Sequence, residues 1–420
     1  MTNDLSSELA KKQKPELRVL QVFSSLGVGG AEIWLIALLR YLREAQDSLP
    51  FRVRFDILLT DGEKQILEDE AQELGARLIH VNYSQRRLPA FRREFRRVLE
   101  RGRYHAIHDH QGYPAGIHFL LGLGRLPRVR ITHIHNPIYD LQEYMTPRNK
   151  LVIECEKRLL AVLATHITAT STQMLIEHGF QSTLFNKVRR ETVHCGFDVS
   201  RFYTSGAMQA HSQLCQEFGW AADSKIMLFA GRIGTDLYQG HDPEGNGQSR
   251  KNPTFAVTVA IEAIRRNPNV RLLLAGGGEY TKAQLENYVQ EQGLKDKIRF
   301  LGVRGDLPYL MSGADLLLFP SRAEGLGMVV VEAQAAGLRI IASDTTPHEC
   351  MVVPDMVTFC SLESSPTNWA DKALHLMSLP RLNREECNQA VANSAFDIGK
   401  SALHLLRLYS GNRAGINSLQ

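Results

Sequence analysis

The chain has 420 residues, of which 44% are hydrophobic and 22% charged; this supports roughly two or three folded domains and excludes a disordered chain or a small disulfide scaffold. The formal net charge is +4, and residues 1–200 hold 28 basic against 23 acidic residues. Such a surplus is a weak indication of acidic partners. It is too small to indicate a nucleic-acid-binding protein, so we predict no nucleic-acid partner.

The beginning of the chain and the cysteines both favour a cytoplasmic protein. Residues 1–16 form a polar extension without the apolar core of a secretory signal. No apolar run approaches the ~20 residues that cross a bilayer. The six cysteines are scattered without a C-x-x-C pair, a pattern that indicates reduced, buried thiols.

The first half of the chain alternates predicted strands and helices. A glycine-rich turn at 27–30 separates a strand at 17–23 from a helix at 31–42. The remaining elements of this half are strands at 51–60, 76–81, 105–110 and 129–135 and helices at 63–75 and 88–101. This order predicts a parallel, doubly wound sheet in a first domain over residues 17–200.

A second alternating series follows a connector that begins at Gly196. Its elements are strands at 225–231, 270–276, 298–302, 314–320 and 339–343 and helices at 254–266, at 280–292 and ending at Gly337. We therefore predict a second doubly wound domain over 201–385, and a C-terminal helix within 386–420 that returns to the first domain. The expected architecture is α/β, with two domains facing a central cleft and ligands at the carboxyl ends of the strands.

The segment 319–332 carries the clearest chemical pattern, because a strand ends there, a glycine turn follows and a helix begins. Glu324 falls in the loop and Glu332 inside the helix. A carboxylate can accept two hydrogen bonds from neighbouring hydroxyls, so Glu332 suits a ribose and Glu324 a sugar ring. The N–H groups expected to form a phosphate site at the helix start belong to Gly325, Leu326 and Gly327. Taken alone, the segment also fits two solvated glutamates beside a tight turn.

Two cations follow the first strand of the second series. Arg232 ends that strand and Lys251 opens the next helix, so both can reach one strand end and neutralise a diphosphate without a metal. Each of them alone fits a surface cation equally well. The polar loop 234–250 separates them as either a lid or an insertion, and it leaves the placement of Lys251 open.

Together these residues resemble the family 4 glycosyltransferases, retaining enzymes of GT-B architecture with two Rossmann-like domains that use nucleotide sugars. The resemblance runs from about Leu17 to the end of the chain. Its other motifs are Gly29-Gly30-Ala31-Glu32, His133-Ile134-His135-Asn136, Gly196-Phe197-Asp198 with Phe202, Gly231-Arg232, Lys251-Asn252-Pro253, 275–279 and 300–304. The closing stretch, with Ser343-Asp344, 357–366 and Trp369, resembles the subgroup that builds capsular polysaccharides and exopolysaccharides.

The resemblance implies a hexosyltransferase-type enzyme. It would move a sugar from a nucleotide sugar, expected to be UDP-linked, to a growing polysaccharide or a lipid-linked oligosaccharide precursor, with no cofactor and no metal. Arg232 and Lys251 would hold the donor diphosphate and stabilise the leaving group in place of a metal. Glu324 would hold the transferred sugar, and His135 would contact the same sugar.

The resemblance also implies a set of donor-binding residues. Glu332 would hold the ribose hydroxyls, and the backbone near Val303 and Arg304 would meet the base. Gly29 and Gly30 would let the first domain approach the phosphates closely. The chain departs from the family pattern at one place, because His194-Cys195-Gly196 stands where the family usually has Pro-Asn-Gly.

Histidines cluster at the ends of two strands of the first domain. Residues two apart on a strand share a face, so these side chains are candidates for hydrogen-bond donors that line the cleft. The acceptor or cleft candidates are His108, His110, His133 and Asn136. A metal site is the alternative, but with Asp109 as the one nearby carboxylate we predict no metal.

The helix at 88–101 is basic on one side and has an apolar stripe, Phe91, Phe95, Val98 and Leu99, on the other. One hypothesis is peripheral contact with the anionic inner face of a membrane, near a lipid-linked acceptor. The alternative is an ordinary crossover helix with its stripe on the sheet and its arginines in water.

Two other functions compete with catalysis by a transferase. A noncatalytic sugar-nucleotide-binding subunit would share the fold, but such a subunit would be expected to lose some of the site residues, and all are present here. A dinucleotide-dependent oxidoreductase is suggested by Gly27-Val28-Gly29 after the first strand. Glu32 stands where its third glycine would be, which weakens that reading.

Overall fold

The structure is a computed structural model that describes residues 14–203, 209–234 and 249–411. It divides into two compact units. The first comprises the described parts of Met1–His135, Met145–Phe197 and Ile398–Gln420, and the second Asn136–Tyr144 and Asp198–Asp397. The polar extension up to residue 13 and most of the predicted polar loop, 235–248, lie outside the described residues.

The first unit is built on a seven-stranded parallel sheet in the order β3-β2-β1-β4-β5-β6-β7. Its strands are β1 (Glu16–Phe23), β2 (Arg52–Leu59), β3 (Arg77–His80), β4 (Ala106–Asp109), β5 (Val129–Ile134), β6 (His166–Ala169) and β7 (Arg189–Thr192). Its helices are α1 (Gly30–Glu44), α2 (Glu68–Glu73), α3 (Leu88–Gly102), α4 (Ala115–Leu121), α5 (Pro147–Leu163), α6 (Thr172–Glu177) and, near the end of the chain, α14 (Ile398–Ser410). The strand order reverses between β1 and β4, as in a Rossmann-like fold.

The second unit has a six-stranded parallel sheet in the order β10-β9-β8-β11-β12-β13. Its strands are β8 (Lys225–Ala230), β9 (Val270–Ala275), β10 (Ile298–Gly302), β11 (Leu316–Phe319), β12 (Ile340–Ser343) and β13 (Val357–Cys360). Its helices are α7 (Ala210–Glu217), α8 (Pro253–Arg266), α9 (Glu279–Glu291), α10 (Leu307–Gly313), α11 (Met328–Ala335), α12 (Pro366–Ser378) and α13 (Arg384–Ala392). Here the order reverses between β8 and β11.

Continuous apolar runs form the central strands of both sheets because helices cover both faces. Val19, Leu20 and Val22 of β1 are fully buried, and so are Met227 and Leu228 of β8. The predicted α/β class with two Rossmann-like domains is confirmed. Each sheet places its strand ends, and the loops that follow them, on one edge.

The segment 386–420, where a helix returning to the first domain is predicted, contains the end of one helix and the whole of another. Helix α13 belongs to the second unit, and α14 packs on α1, β1 and β5 of the first. A turn separates the two helices, because the hydroxyl of Ser394 accepts a hydrogen bond from the amide of Phe396 at 3.2 Å and so offers the backbone an alternative to helix. The amide of Ile398 then bonds to the carbonyl of Phe197 at 3.0 Å.

Candidate functional site

The carboxyl ends of the neighbouring strands β8 and β11 bring two charged side chains together in the second unit. Lys251, just before α8, donates from Nζ to Oε1 of Glu324 at 2.6 Å. The side chain of Lys251 is 17% exposed and that of Glu324 is 6% exposed. The ammonium also lies 5.2 Å from the ring centre of Phe319, the last residue of β11. A reversal of strand order is where open α/β sheets bind ligands.

The surroundings keep Glu324 charged. Burial alone raises the pKa of Glu324, but the positive charges of Lys251 and Arg250, with hydrogen bonds from Lys251 and Ser321, bring it below its usual value. Glu324 is therefore an ionised acceptor. An ammonium has three N–H donors, and among the described residues Lys251 gives a hydrogen bond only to Glu324. Its remaining donors suit an anionic ligand.

The loop that carries Glu324 is tied to both of its neighbours. The Ser321 hydroxyl donates to Oε1 of Glu324, and the Ser321 carbonyl accepts from the hydroxyl of Thr345 at 2.7 Å, beyond the end of β12. The amide of Arg322 donates to the carbonyl of Arg250 at 2.8 Å, next to Lys251. These bonds fix the position of the Glu324 carboxylate relative to the Lys251 ammonium.

Two backbone segments cross beside this pair without side chains between them. A Cβ on Gly276, at φ 159°, would overlap the carbonyl oxygen of Gly231, and a Cβ on Gly278, at φ 132°, would overlap the backbone of Gly234. Glycine alone fits both positions. The loop after β9 therefore lies directly on the loop after β8 that carries Arg232.

The structure brings the two predicted cations to the same strand end. Arg232 is exposed and follows Gly231 at the end of β8. A Cβ on Gly231 would lie 3.4 Å from Cγ of Lys251, so the stem of Lys251 packs against the residue before Arg232. The long polar loop between them does not carry Lys251 away from the site.

The glycine turn before α11 contains three of the predicted phosphate-binding residues. Gly325 and Leu326 are buried. Gly327 adopts φ 89° as the residue that precedes the helix, and a Cβ there would lie 3.0 Å from Cγ2 of Thr346. The turn is therefore closely packed, and glycine at its last position is required by the backbone.

Glu332 lies in α11 and is half-buried. Burial raises its pKa to about 7, against the lowering effect of the positive charges of Arg201 and Lys251. No described residue gives the Glu332 carboxyl group a hydrogen bond. The carboxyl group is therefore close to half protonated at neutral pH and able to take new hydrogen-bond partners.

The predicted base-binding position follows β10. The side chain of Val303 is 77% exposed. Arg304 is engaged, because Nε and Nη2 donate to the carboxylate of Asp306 at 2.7 and 2.6 Å and Nη1 lies 3.3 Å from Glu217. The hydrogen bond to Asp306, with a further contribution from Glu217, raises the pKa of Arg304. The backbone here, rather than the Arg304 side chain, is left for a ligand.

At the glycine turn of the first unit, the carboxylate of Glu32 lies against the backbone where a phosphate is predicted. Gly29 precedes α1, and a Cβ there would overlap Oε2 of Glu32, whereas a Cβ on Gly30 would meet nothing within 4 Å. The Glu32 carboxylate thus covers Gly29 at the positive end of the helix. In this structure the space predicted for a phosphate is open at Gly30 and filled at Gly29.

The histidines at the ends of β4 and β5 stack closely in the first unit. Ring centres of His108 and His110 are 4.0 Å apart, and those of His133 and His135 are 4.1 Å apart. Nδ1 of His110 lies 2.9 Å from Nε2 of His135. Burial lowers the pKa of His135 to about 3 and those of the other three well below the usual value. All four rings are therefore neutral near pH 7.

Burial divides the predicted cleft residues into two groups. His108 and His133 are fully buried, so neither side chain reaches the surface in this structure, and a role in the cleft stays a prediction. His110 and His135 are half-buried and Asn136 is exposed. The reason is that His108 and His133 lie within β4 and β5, whereas His110 and His135 follow the ends of these strands.

The same cluster meets a geometric requirement of a metal site. Ring nitrogens of His108, His110 and His133 lie within 4.8 Å of one another. Two of the six ring nitrogens of these residues bond to side chains other than histidine, since Nδ1 of His108 lies 2.7 Å from the Tyr409 hydroxyl and Nε2 of His110 lies 2.8 Å from Oε1 of Gln21. The absence of a metal remains a prediction.

Gln21 and Tyr409 are the residues of this region that sequence reasoning missed. Their side chains bond to each other at 3.1 Å across 388 positions of sequence. Gln21 does stand out as a polar residue in the apolar run of β1. Tyr409 gives no such signal, because a tyrosine in an amphipathic helix is ordinary.

Helix α3 turns its apolar stripe inward. Phe91, Phe95 and Leu99 are buried, whereas the side chains of Arg93 and Arg97 are 64% and 55% exposed. The stripe therefore serves the core, as the crossover-helix alternative expected, and is not available for insertion into a bilayer. Arg77, Arg87, Arg97 and Arg101 line a groove of about 580 Å³ between α3 and the edge strand β3.

Within the ranges 14–203, 209–234 and 249–411, no helix combines the length and the apolar character needed to cross a membrane.

Two family models match the chain. Residues 28–201 match the family described as Glycosyltransferase Family 4, and residues 245–394 match the family described as Glycosyl transferases group 1.

Curated relatives match over nearly the whole chain. EpsF of Bacillus subtilis, named as a glycosyltransferase, is 29% identical over 399 residues, which cover 94% of this chain and 96% of the relative. CapH of Staphylococcus aureus, named as a capsular polysaccharide biosynthesis glycosyltransferase, is 23% identical over 401 residues, which cover 94% and 98%.

Solved structures share the fold. HepE of Anabaena, solved in complex with UDP, aligns with a TM-score of 0.73 at 18% identity over 94% of this chain and 100% of that one. Sucrose-phosphate synthase of Thermosynechococcus elongatus aligns with a TM-score of 0.68 at 20% identity over 94% and 98%. At these identities the likeness concerns the fold alone.

Proposed function

We propose that this chain, which belongs to glycosyltransferase family 4, is a metal-independent, retaining hexosyltransferase. It moves a sugar from a UDP-linked donor to a growing polysaccharide or a lipid-linked oligosaccharide precursor. The observation that carries the proposal is the Lys251–Glu324 pair at the ends of β8 and β11, inside the region that matches the group 1 glycosyltransferases. The names of EpsF and CapH support the pathway, and the HepE structures with UDP and UDP-glucose support the donor.

Lys251 and Arg232 hold the donor diphosphate in this proposal. The ammonium of Lys251 keeps one N–H on Glu324 and directs the others to phosphate oxygens. Arg232, one residue beyond Gly231, adds a second cation at the same strand end. Together they stabilise the negative charge that grows on the leaving UDP, the role that a divalent metal plays in other transferases.

Glu324 positions the transferred sugar. Within the described part of the chain, the hydrogen bonds to its side chain come from Lys251 and Ser321, and both reach Oε1. Oε2 is the oxygen left to accept from sugar hydroxyls. Because its pKa is lowered, Glu324 stays ionised and accepts these bonds throughout the neutral range.

Retention follows from attack on the same face as the departing UDP. The bond between the anomeric carbon and the diphosphate oxygen breaks, and the acceptor oxygen forms its bond to the anomeric carbon. The acceptor proton passes to a phosphate oxygen of the leaving group. Oε1 of Glu324 is already held by Lys251 and Ser321, which supports a positioning role rather than that of a covalent nucleophile.

The remaining donor contacts come from α11 and β10. Glu332 binds the ribose hydroxyls, and the absence of hydrogen bonds to its carboxyl group from the described residues supports this role. The N–H groups of Gly325, Leu326 and Gly327 meet phosphate at the start of α11. The exposed Val303 and the backbone of Arg304 meet the base. His135 contacts the transferred sugar.

The decisive experiment is donor binding and transfer without metal. The full chain is mixed with UDP-glucose in excess EDTA, and binding is followed by saturation-transfer NMR with UDP as competitor. We expect binding that UDP reverses, and an α-linked product from this α-linked donor. A requirement for Mg²⁺ or Mn²⁺ would overturn the metal-independent assignment, and a β-linked product would overturn retention.

Membrane contact is proposed through the arginines of α3, at the cytoplasmic face. The groove lined by Arg77, Arg87, Arg97 and Arg101 offers positive charge to lipid phosphates, whereas the apolar stripe is buried. Binding should therefore be electrostatic and sensitive to salt. Co-sedimentation with vesicles of phosphatidylglycerol, and not with phosphatidylcholine, checks this; binding that persists in 1 M salt would contradict it.

A further inference from the structure

Six side chains of the first unit form one continuous series of hydrogen bonds, which we call the histidine chain. In order, its members are His135, His110, Gln21, Tyr409, His108 and His133. The five distances between them run 2.9, 2.8, 3.1, 2.7 and 3.2 Å. Four elements supply the series: β1 gives Gln21, α14 gives Tyr409, and the histidines lie on or just after β4 and β5.

The amide of Gln21 gives the chain a direction. Its Oε1 faces Nε2 of His110 at 2.8 Å, and a carbonyl oxygen only accepts, so Nε2 of His110 carries the proton. In a neutral imidazole the other nitrogen is then an acceptor. Nδ1 of His110 must receive its bond from Nε2 of His135 at 2.9 Å. Nδ1 of His135 is left without a proton.

The same direction continues on the other side of Gln21. Nε2 of Gln21 donates to the hydroxyl of Tyr409 at 3.1 Å. That hydroxyl gives its own proton to Nδ1 of His108 at 2.7 Å, and Nε2 of His108 donates to Nδ1 of His133 at 3.2 Å. The last nitrogen, Nε2 of His133, is buried and has no hydrogen-bond partner among the described residues. No described residue at this end therefore forces the opposite order of donors and acceptors to the one that Gln21 sets.

The free end of the chain is the end that a ligand can reach. His135 is half-buried, whereas His108 and His133 are fully buried. No described residue hydrogen-bonds to Nδ1 of His135. The next residue, Asn136, is exposed. The histidine chain thus ends in one accessible nitrogen whose lone pair is fixed by residues remote from it.

We propose that Gln21 and Tyr409 are positioning residues that fix the tautomer of His135, so that its Nδ1 accepts a hydrogen bond from a sugar hydroxyl. The ligand class follows from this polarity. A lone pair attracts the O–H of a sugar and repels a phosphate oxygen, so His135 selects for a hydroxyl donor. The sugar as ligand rests on the proposed function, whereas the tautomer assignment does not.

The test is nitrogen NMR of the full chain labelled with ¹⁵N-histidine, without substrate. Protonated and unprotonated ring nitrogens have widely separated shifts, and each signal is assigned by its loss in a single histidine variant. We expect His135, His110, His108 and His133 all to carry the proton on Nε2. A proton on Nδ1 of His135, or a mixture of tautomers along the wild-type chain, would overturn the proposal.

Tyr409→Phe tests the coupling, because it removes one hydroxyl and leaves His110 and His135 untouched. Without that acceptor the Gln21 amide can rotate, so we expect two tautomers at both rings where the wild type has one. Ser401→Ala is the matched control, since Ser401 lies on the same helix and accepts from Trp34 Nε1 at 3.3 Å outside the histidine chain. An unchanged His135 spectrum in folded Tyr409→Phe would refute the coupling.

Gln21→Leu is the second variant, and it removes both bridging groups at once. It should give the same mixed tautomers even if Tyr409→Phe does not fold. With UDP-glucose as donor, both variants should lower kcat about five- to tenfold, the effect of one misplaced neutral hydrogen bond, with KM little changed. If UDP-glucose does not bind, the proposed function fails, and the tautomer spectra still decide the role of Gln21 and Tyr409.

Discussion

The two units solve the problem of holding a polar ligand in opposite ways. At the end of β8 and β11, the positive charges of Lys251 and Arg250 keep the Glu324 carboxylate ionised within a set of serine and backbone hydrogen bonds. At the end of β4 and β5, four imidazoles are kept neutral by burial and by a series of directed hydrogen bonds. The first arrangement suits a diphosphate and the second a hydroxyl. Two sheets of the same parallel type thus suit different ligands, and the residues at the strand ends determine whether the ligand group is a diphosphate or a hydroxyl.

The largest effect is expected from Lys251→Ala, which removes the charge on which the second unit depends. We expect kcat to fall about 1,000-fold, because a preorganised cation at the leaving group is lost. Lys295→Ala, an exposed lysine on the same unit, is the control and should match the wild type. Steady-state turnover of UDP-glucose measures both variants. Near-normal activity of Lys251→Ala would contradict the claim that the second unit acts through charged side chains.

Glu324→Gln keeps the shape of the side chain and removes its charge. We expect kcat to fall about 100-fold, because the acceptor of sugar hydroxyls weakens and Lys251 loses its counter-ion. The control is Glu286→Gln at an exposed position. Equal kcat in the two variants, at equal thermal stability, would show that Glu324 has no part in the reaction.

His135→Phe examines the neutral side of the comparison. One neutral hydrogen bond is worth about 1 kcal/mol, so we expect kcat to fall only about tenfold. Because burial lowers the pKa of His135 to about 3, kcat/KM of the wild type should show no inflection from this residue between roughly pH 5 and 8. An inflection in kcat/KM near pH 6.5 that is lost in His135→Phe would mean that the His135 ring is protonated in the active enzyme.

The smallest expected effect concerns stability and Glu332. Its pKa is raised from 4.5 to about 7, so the protonated carboxyl favours the folded state below pH 4.5, and that contribution is lost as the pH rises through about 7. After allowance for partial exposure, the wild-type free energy of unfolding should fall by about 2 kcal/mol across this window from Glu332 alone. Urea unfolding of Glu332→Gln should show a correspondingly flatter pH dependence; identical slopes would refute the shift.

The sequence was sufficient for the elements that repeat a strong pattern. Strands β1 and β8 are long apolar runs, and both appear where they were predicted. Strand β6, His166–Ala169, has four residues and reads HITA, which is too short and too polar to be recognised without its neighbours. Helix α2 covers only part of the predicted 63–75 because its apolar positions are few.

The candidate site likewise contains residues that the sequence indicated and residues that only the tertiary structure brings together. Glu324, Glu332 and the glycine turn lie close together in sequence, so their spacing marked them as candidates and the resemblance to family 4 suggested their roles. The approach of Lys251 to Gly231 needed the tertiary structure, because residues 234–250 lie between them. The contact of Gln21 with Tyr409 depends on how the last helix returns to the first strand, and no local pattern encodes that.

The return of α14 has a consequence for the order of synthesis. Ser401 and Tyr409 complete the polar interior around Trp34 and Gln21, yet they leave the ribosome after the whole of the second unit. The interior of the first unit therefore stays incomplete until the second unit has been synthesised. A product truncated before α14 would keep every residue of the Lys251–Glu324 site but leave uncovered the parts of α1, β1 and β5 on which α14 packs, so the first unit of such a fragment should be unstable.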